Sequence, residues 1–126
     1  MTREGERVYG LARGVDAAHL RRLRRGELEI DRELDLHGLD ARAAREDVGF
    51  ELGEAFLAGE RCVRIVHGRG THSPGGPVLK EALLGWLSQA PLGDRVLAFA
   101  SAPPAQGGSG ALLVLLRRRR AKGDAP

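Results

Sequence analysis

Between Glu33 and Leu116 short β-rich runs alternate with stretches of helical periodicity, and this spacing restricts the fold more than any other feature. Leu34-Asp35-Leu36-His37-Gly38 alternates apolar and polar residues, which predicts a strand with Leu34 and Leu36 on one face and Asp35 and His37 on the other. Asp40 then suits the N-cap of a helix over about residues 41–59, with Ala44, Val48, Leu52, Ala55 and Phe56 along one stripe and Gly59 closing it. Cys62-Val63-Arg64-Ile65-Val66 is a second strand, and Arg69 to Pro77, with three glycines and two prolines, is a loop. Val78, Leu79, Ala82, Leu83, Trp86 and Leu87 follow helical spacing up to Pro91. Val96 to Ala100 is a third strand, residues 101–109 form a loop, and Ala111 to Leu116 make a fourth.

A strand–helix–strand crossover implies parallel strands, whereas the helix-free connection before the fourth strand turns it back antiparallel. The expected fold is α/β, a two-layer sandwich with a mixed sheet of about four strands in βαβαββ order. Ahead of it, residues 1–15 show no periodicity and are expected to be flexible. Asp16 caps a short amphipathic helix with Leu20 and Leu23 on one face, stopped by Gly26. The chain thus divides into a 1–32 extension with a basic helix, a 33–118 domain and a basic, flexible 119–126 tail.

At 126 residues with 42% hydrophobic side chains there is material for one cored domain, and no run approaches the roughly 18 apolar residues of a membrane span. No secretory signal is visible, and the single cysteine, Cys62, excludes an internal disulfide, so a reducing cytoplasm is expected. The net charge of +3 is uneven: +1 over residues 1–33, −2 over 34–111 and +4 over 112–126. The basic excess therefore sits at the ends, above all in Arg117, Arg118, Arg119 and Arg120, which suit the backbone of a nucleic acid. A second cluster, Arg21, Arg22, Arg24 and Arg25, is followed closely by Glu27, Glu29, Asp31 and Glu33.

In an open parallel sheet functional groups gather beyond the carboxyl ends of the strands. Here the first strand ends in Asp35-Leu36-His37-Gly38, the second in Val66-His67-Gly68 and the third in Ser101. An antiparallel fourth strand would start at the same edge with Gln106-Gly107-Gly108-Ser109-Gly110. On a strand Asp35 and His37 share a face, so the carboxylate can orient the imidazole for general acid or base work. Taken alone, the pair is more plainly a polar strand end. His67-Gly68-Arg69-Gly70-Thr71-His72 offers glycine amides and a guanidinium to a phosphate, with His67 or His72 as a second proton-transfer group. A divalent metal is possible on the histidines and Asp35, but no standard metal-ligand spacing is present, so no cofactor is expected. Cys62 and Trp86 read as core, and His19 as surface.

Together, Leu34-Asp35-Leu36-His37-Gly38, His67-Gly68-Arg69-Gly70 and Gly107-Gly108-Ser109-Gly110 resemble the Smr (small MutS-related) domain family, whose marks are an LDLHG strand end, an HGxG loop and a late GGTG-like turn in this order. The resemblance covers about residues 33–118, and Leu20 to Glu27 looks like the lead-in of stand-alone bacterial members. Arg69 stands where Lys is common and Ser109 where Thr is common. The resemblance implies a sandwich similar to the C-terminal domain of translation initiation factor 3 and an endonuclease activity. Stand-alone members are associated with cutting mRNA at stalled, collided ribosomes, and others with nicking DNA.

On that reading His37, oriented by Asp35, is the base that activates a ribose 2′-OH. Arg69 and the amides of Gly68, Gly70 and Gly108 stabilise charge on the phosphate, and His67 or His72 protonates the leaving oxygen. The expected partners are nucleic acid, RNA before DNA, and the ribosome; the chain is expected to be a monomer. The rivals are a DNA-nicking enzyme, whose base must activate water, a non-catalytic nucleic-acid adaptor, and a small-molecule phosphate binder.

Overall fold

The computed structural model describes residues 1–68 and 76–119. Its elements, in chain order, are β1 (Thr2–Glu4), β2 (Arg7–Leu11), α1 (Ala17–Arg24), β3 (Arg32–Asp35), α2 (Ala41–Leu57), β4 (Cys62–Val66), α3 (Gly76–Ser88), β5 (Val96–Ser101) and β6 (Ala111–Leu116). They form an α/β fold on one mixed sheet in the order β1-β2-β5-β6-β4-β3. β3 and β4 are parallel, Asp35 standing opposite Val66. β6 runs antiparallel between β4 and β5, with Val66 opposite Ala111 and Ser101 opposite Leu112. As the crossovers required, β3, β4 and β5 point the same way, but β5 does not pair with β4 because β6 is inserted between them.

Asp40 and Asp16 both act as the caps their positions predicted: Asp40 Oδ1 accepts from Ala43 N–H at 2.8 Å and Asp16 Oδ1 from Ala18 N–H at 2.9 Å. The α2 stripe of Ala44, Val48, Leu52 and Ala55 is buried, with Phe56 packed beside it. α2 and α3 cover one face of the sheet, where Leu34, Leu36, Ile65, Leu112 and Val114 meet Val48, Leu52, Leu83 and Leu87. All six residues of β6 are buried, so this strand is apolar throughout.

Three expectations are corrected. The sheet has six strands rather than about four, because residues 1–15 contribute the β1–β2 hairpin. β2 pairs with the open edge of β5, Tyr9 opposite Ala100. Its alternation is interrupted by Gly10, which the packing demands: a Cβ there would lie 2.6 Å from Phe99 Cζ. Second, α1 lies on the other face of the sheet, so the fold is not simply two-layered. Leu23 is fully buried there against Cys62, Ala98, Ala100, Leu113 and Leu115, a burial worth about 1.5–3 kcal/mol. Third, the first strand runs from Arg32 to Asp35 and stops before His37.

Residues 1–32 are therefore part of the sheet and its cover. Lys80 Nζ donates to the carbonyl of Glu6, Arg3 pairs with Glu81 at 2.6 Å, and Arg24 pairs with Glu4 at 2.9 Å, tying the hairpin to α3 and α1. Of the basic run, Arg120 and everything after it lie outside the described residues. Among the described residues no helix is long and apolar enough to cross a membrane.

Candidate active site

The strand register brings Asp35, His67, Ser101 and the turn before β6 to one edge of the sheet, as the topology implied. At the end of β3 the chain leaves the ladder after Leu36 N–H donates to Val66 O. Asp35 Oδ1 then accepts twice from His37, from its backbone N–H at 3.1 Å and from ring Nδ1 at 2.8 Å. The pair is thus made by a tight turn, with one carboxylate oxygen gathering the loop, and not by two residues sharing a strand face. Because the carboxylate can only accept, Nδ1 carries a proton, and in the neutral form of the ring Nε2 presents a lone pair. The hydrogen bond from His37 is the main reason the Asp35 carboxyl is held below the usual carboxylate range, with the Arg64 charge adding to it. Both side chains are more than half exposed, so a substrate can reach them.

The two glycine motifs meet on a single atom. The carbonyl of Gly110 accepts from the N–H groups of both His67 and Gly68, each at 3.0 Å. Gly68 in turn stands against His37: a Cβ on it would lie 3.9 Å from His37 Cβ. Across the turn, Gly107 has φ +115°, and a Cβ there would meet Ala111 Cβ at 2.7 Å and Arg64 Nη1 at 3.0 Å. Asp35, His37, Gly68 and the 107–110 turn, Ser109 included, form one contiguous edge.

Residues 34–117 match the model of the Smr domain. The chain belongs to the Smr domain family. It is 40% identical over 103 residues to the ribosome rescue factor SmrB of Yersinia enterocolitica serotype O:8 / biotype 1B (strain NCTC 13174 / 8081), a match covering 82% of this chain and 54% of that protein. The SmrB of Shewanella sp. (strain ANA-3) is 38% identical over 106 residues, covering 84% and 56%. The chain therefore spans about half the length of the curated relatives it matches. Among solved structures, YdaL, a stand-alone small MutS-related protein from Escherichia coli, superposes with a TM-score of 0.77 at 28% identity, over 90% of this chain and 86% of that one. The Smr domain of Thermus thermophilus MutS2 superposes with a TM-score of 0.59 at 38% identity, over 68% of this chain and 98% of that one.

Within this Smr domain the expected site residues stand in different surroundings. His67 is 1% exposed, and its Nδ1 donates to the Gly68 carbonyl at 2.7 Å. Its Nε2 is buried with no hydrogen-bond partner among the described residues. Burial, seconded by the Lys80 charge, pushes its pKa below the ordinary histidine value. Burial thus disfavours the charged, proton-donating form of this imidazole. The amides of Gly68 and Gly108 are not free for a phosphate either: they donate to Gly110 O and to Pro103 O, the latter at 3.1 Å. Arg69, Gly70 and His72 lie outside the described residues.

Sequence reasoning missed Arg64. It pairs with Glu33, donates through Nη1 to the Gln106 carbonyl at 3.2 Å, and so links β3, β4 and the glycine turn beneath Asp35. Its signal was available: a charged residue in the middle of an otherwise apolar strand. Cys62 is 1% exposed, with its thiol pushed up to about 11 by burial, which makes it core and unreactive. Arg117, Arg118 and Arg119 follow the end of β6, at the opposite end of the sheet from Asp35. Arg117 Nε and Arg119 Nη1 donate to the carbonyls of Asp94 and Leu57. His19, half-buried, lines a cleft near that end with Arg22, Arg61, Arg117 and Arg118. Among the described residues no three His, Cys, Asp or Glu side chains gather as around a metal ion.

Proposed function

We propose that the chain is an endonuclease that cuts RNA by acid–base chemistry, in the ribosome-rescue role after which its SmrB relatives are named. The observation that carries this is the Asp35–His37 pair: an ionised carboxylate 2.8 Å from Nδ1 on an exposed edge, with Nε2 left as a base. In this scheme Nε2 takes the proton of the ribose 2′-OH as it attacks the adjacent phosphate. Asp35 holds the ring and stabilises the imidazolium that forms. Arg69 is the proposed phosphate donor, and with His67 buried and its charged form disfavoured, His72 is the proposed source of the leaving group's proton. No resident metal is invoked, and the 5′-hydroxyl product follows from the internal attack.

The substrate choice rests on the relatives, and a DNA-nicking reaction is the alternative that the resemblance carries. Cytoplasmic, monomeric action belongs to the same proposal, as does the likeness of the β3–β6 half with α2 and α3 to the C-terminal domain of translation initiation factor 3.

The test is cleavage of end-labelled RNA and DNA side by side, with end-group analysis and a matched RNA carrying deoxyribose at the cut site. Cleavage of RNA alone to 5′-hydroxyl ends, persisting in EDTA, is expected. His37→Ala should lower the rate by about 10²–10⁴ while RNA binding is retained. Cutting of the deoxyribose substrate overturns the internal attack, and loss in EDTA with rescue by Mn²⁺ overturns the metal-free scheme. A rate unaffected by His37→Ala removes the proposed base, and binding with no cleavage of either polymer favours the adaptor.

A further inference from the structure

Of the basic cluster on α1, Arg21, Arg24 and Arg25 lie toward the edge of the sheet that carries Asp35, whereas Arg22 and the C-terminal basic run line the cleft at the other end. A Cβ on Gly26, just past α1, would lie 2.8 Å from Gln106 Oε1 and 3.0 Å from Pro103 Cγ, so the end of α1 packs on the turn that leads into Gly107–Gly110. The start of β2 reaches the same edge, where both Nη atoms of Arg7 donate to the carbonyls of Ser101 and Ala102 at 3.0 Å. Between them Arg7, Arg21, Arg24 and Arg25 line a shallow groove of about 370 Å³.

The four arginines divide into fixed and available charges. Arg7 is held by the two carbonyls, and Arg24 by Glu4 and by the Tyr9 ring, 4.0 Å below its guanidinium. Arg21 has no acidic partner among the described residues, and the only acid near Arg25 is Glu27 at 3.8 Å. All but Arg7 stand in or just after the last turn of α1, where the helix carbonyls favour positive charge.

This groove and Asp35 lie on the same side of the sheet. Leu34 and Leu36 face α2 and α3, so Asp35 projects on the face that α1 covers. Arg64 projects there too, beside Cys62 and Val66, and touches Gln106. From β3 to β2 is four strand spacings, roughly 19 Å, the reach of a few nucleotides.

Resting on the nucleic-acid reading of the site, we infer that the end of α1 and the start of β2 form a phosphate shelf that holds the substrate strand a few nucleotides from the cut. Arg21 and Arg25 supply the movable contacts, while Arg7 and Arg24 keep the groove positive and in shape. The segment ahead of the Smr match is thereby part of the substrate site.

The shelf is tested by fluorescence anisotropy with single-stranded RNA probes of about 4 and about 12 nucleotides, on the full chain carrying His37→Ala so that the probe stays intact. The longer probe is expected to bind more tightly. Arg21→Ala with Arg25→Ala should remove most of that gain, about tenfold at low salt, and flatten the salt dependence by about 1.4 in slope for two lost phosphate contacts. Circular dichroism and a thermal melt check the fold of the variant. Arg117→Ala with Arg118→Ala, at the far end of the sheet, should leave the length gain in place. No length gain, a gain that survives the α1 substitutions, or equal loss from the far-end pair overturns the shelf. Cleavage is scored separately on the unsubstituted chain. A shelf found without cleavage sinks the endonuclease reading alone, and cleavage without a length gain sinks the shelf alone.

Discussion

Asp35 Oδ1 takes two hydrogen bonds from the residue two places on, one from the backbone and one from the ring, so the same atom shapes the loop and sets the tautomer of His37. His67, with the same residue type and the same following glycine, sits in the opposite environment. It is enclosed, bound to a neutral carbonyl, and held below its ordinary pKa chiefly by burial. Because the folded state disfavours its charged form, the unfolded chain binds the extra proton more readily as pH falls. Stability is then complete above the unfolded value near 6.5 and declines as pH drops from there through the depressed folded value. Melting temperatures measured from pH 8 to 5 should show this acid-side decline in the native chain. In His67→Asn, whose amide can still donate to Gly68 O, the decline should shrink. The same variant should cut at a rate within about tenfold of the native chain, where loss of a true acid costs about 10²–10⁴; a loss in that range returns His67 to the mechanism.

At the scale of elements, the turn before β6 matters more than its weak signal in the sequence suggested. Gly107–Gly110 places the Gly110 carbonyl that anchors His67 and Gly68, and its own start leaves no room for a side chain beside Ala111 and Arg64. Gly107→Ala should cost about 1–3 kcal/mol in urea unfolding, from the left-handed backbone and the crowding together. Native-like stability would show that the turn can reshape without loss. The helices were legible in the sequence because caps and stripes are local: Asp16, Asp40 and the Ala44–Val48–Leu52–Ala55 stripe all act where they were expected. The strand ends were less so. Whether His37 extends β3 or turns away depends on a hydrogen bond to Asp35 that no periodicity encodes.

For the whole molecule, the N-terminal hairpin is the largest departure from what the sequence suggested. β1 is exposed along its length, and β2 buries alternate residues but places glycine, not an apolar side chain, at one of the buried positions, so the sequence shows no apolar–polar alternation there. Their stability comes from the open edge of β5, from Val8 in the core and from Val8 N–H donating to the buried Ser101 hydroxyl at 2.9 Å. The surface ion pairs of Arg3 and Arg24 add little at such exposure. Removing residues 1–12 should therefore uncover Phe99 and the β5 edge, lowering the melting temperature and promoting self-association, as read by calorimetry and light scattering. A truncated chain that melts like the full one and stays monodisperse would show that the hairpin only decorates the sheet.

By itself the sequence determined the parts whose physics is local: the order of strands and helices around the Smr motifs, the caps, the parallel direction of the first three of those strands, and the convergence of the Asp35–His37, His67–Gly68 and Gly107–Gly110 segments on one edge. Tertiary structure decided what depends on distant neighbours. It inserted β6 between β4 and β5, recruited the first eleven residues to an open sheet edge, and set the end of α1 beside the turn that leads into Gly107–Gly110. It also separated two similar histidines by their surroundings, one exposed beside a carboxylate and one sealed beneath a glycine turn. Solvent exposure and charge proximity are properties of the packed chain, and they give His37 and His67 different surroundings.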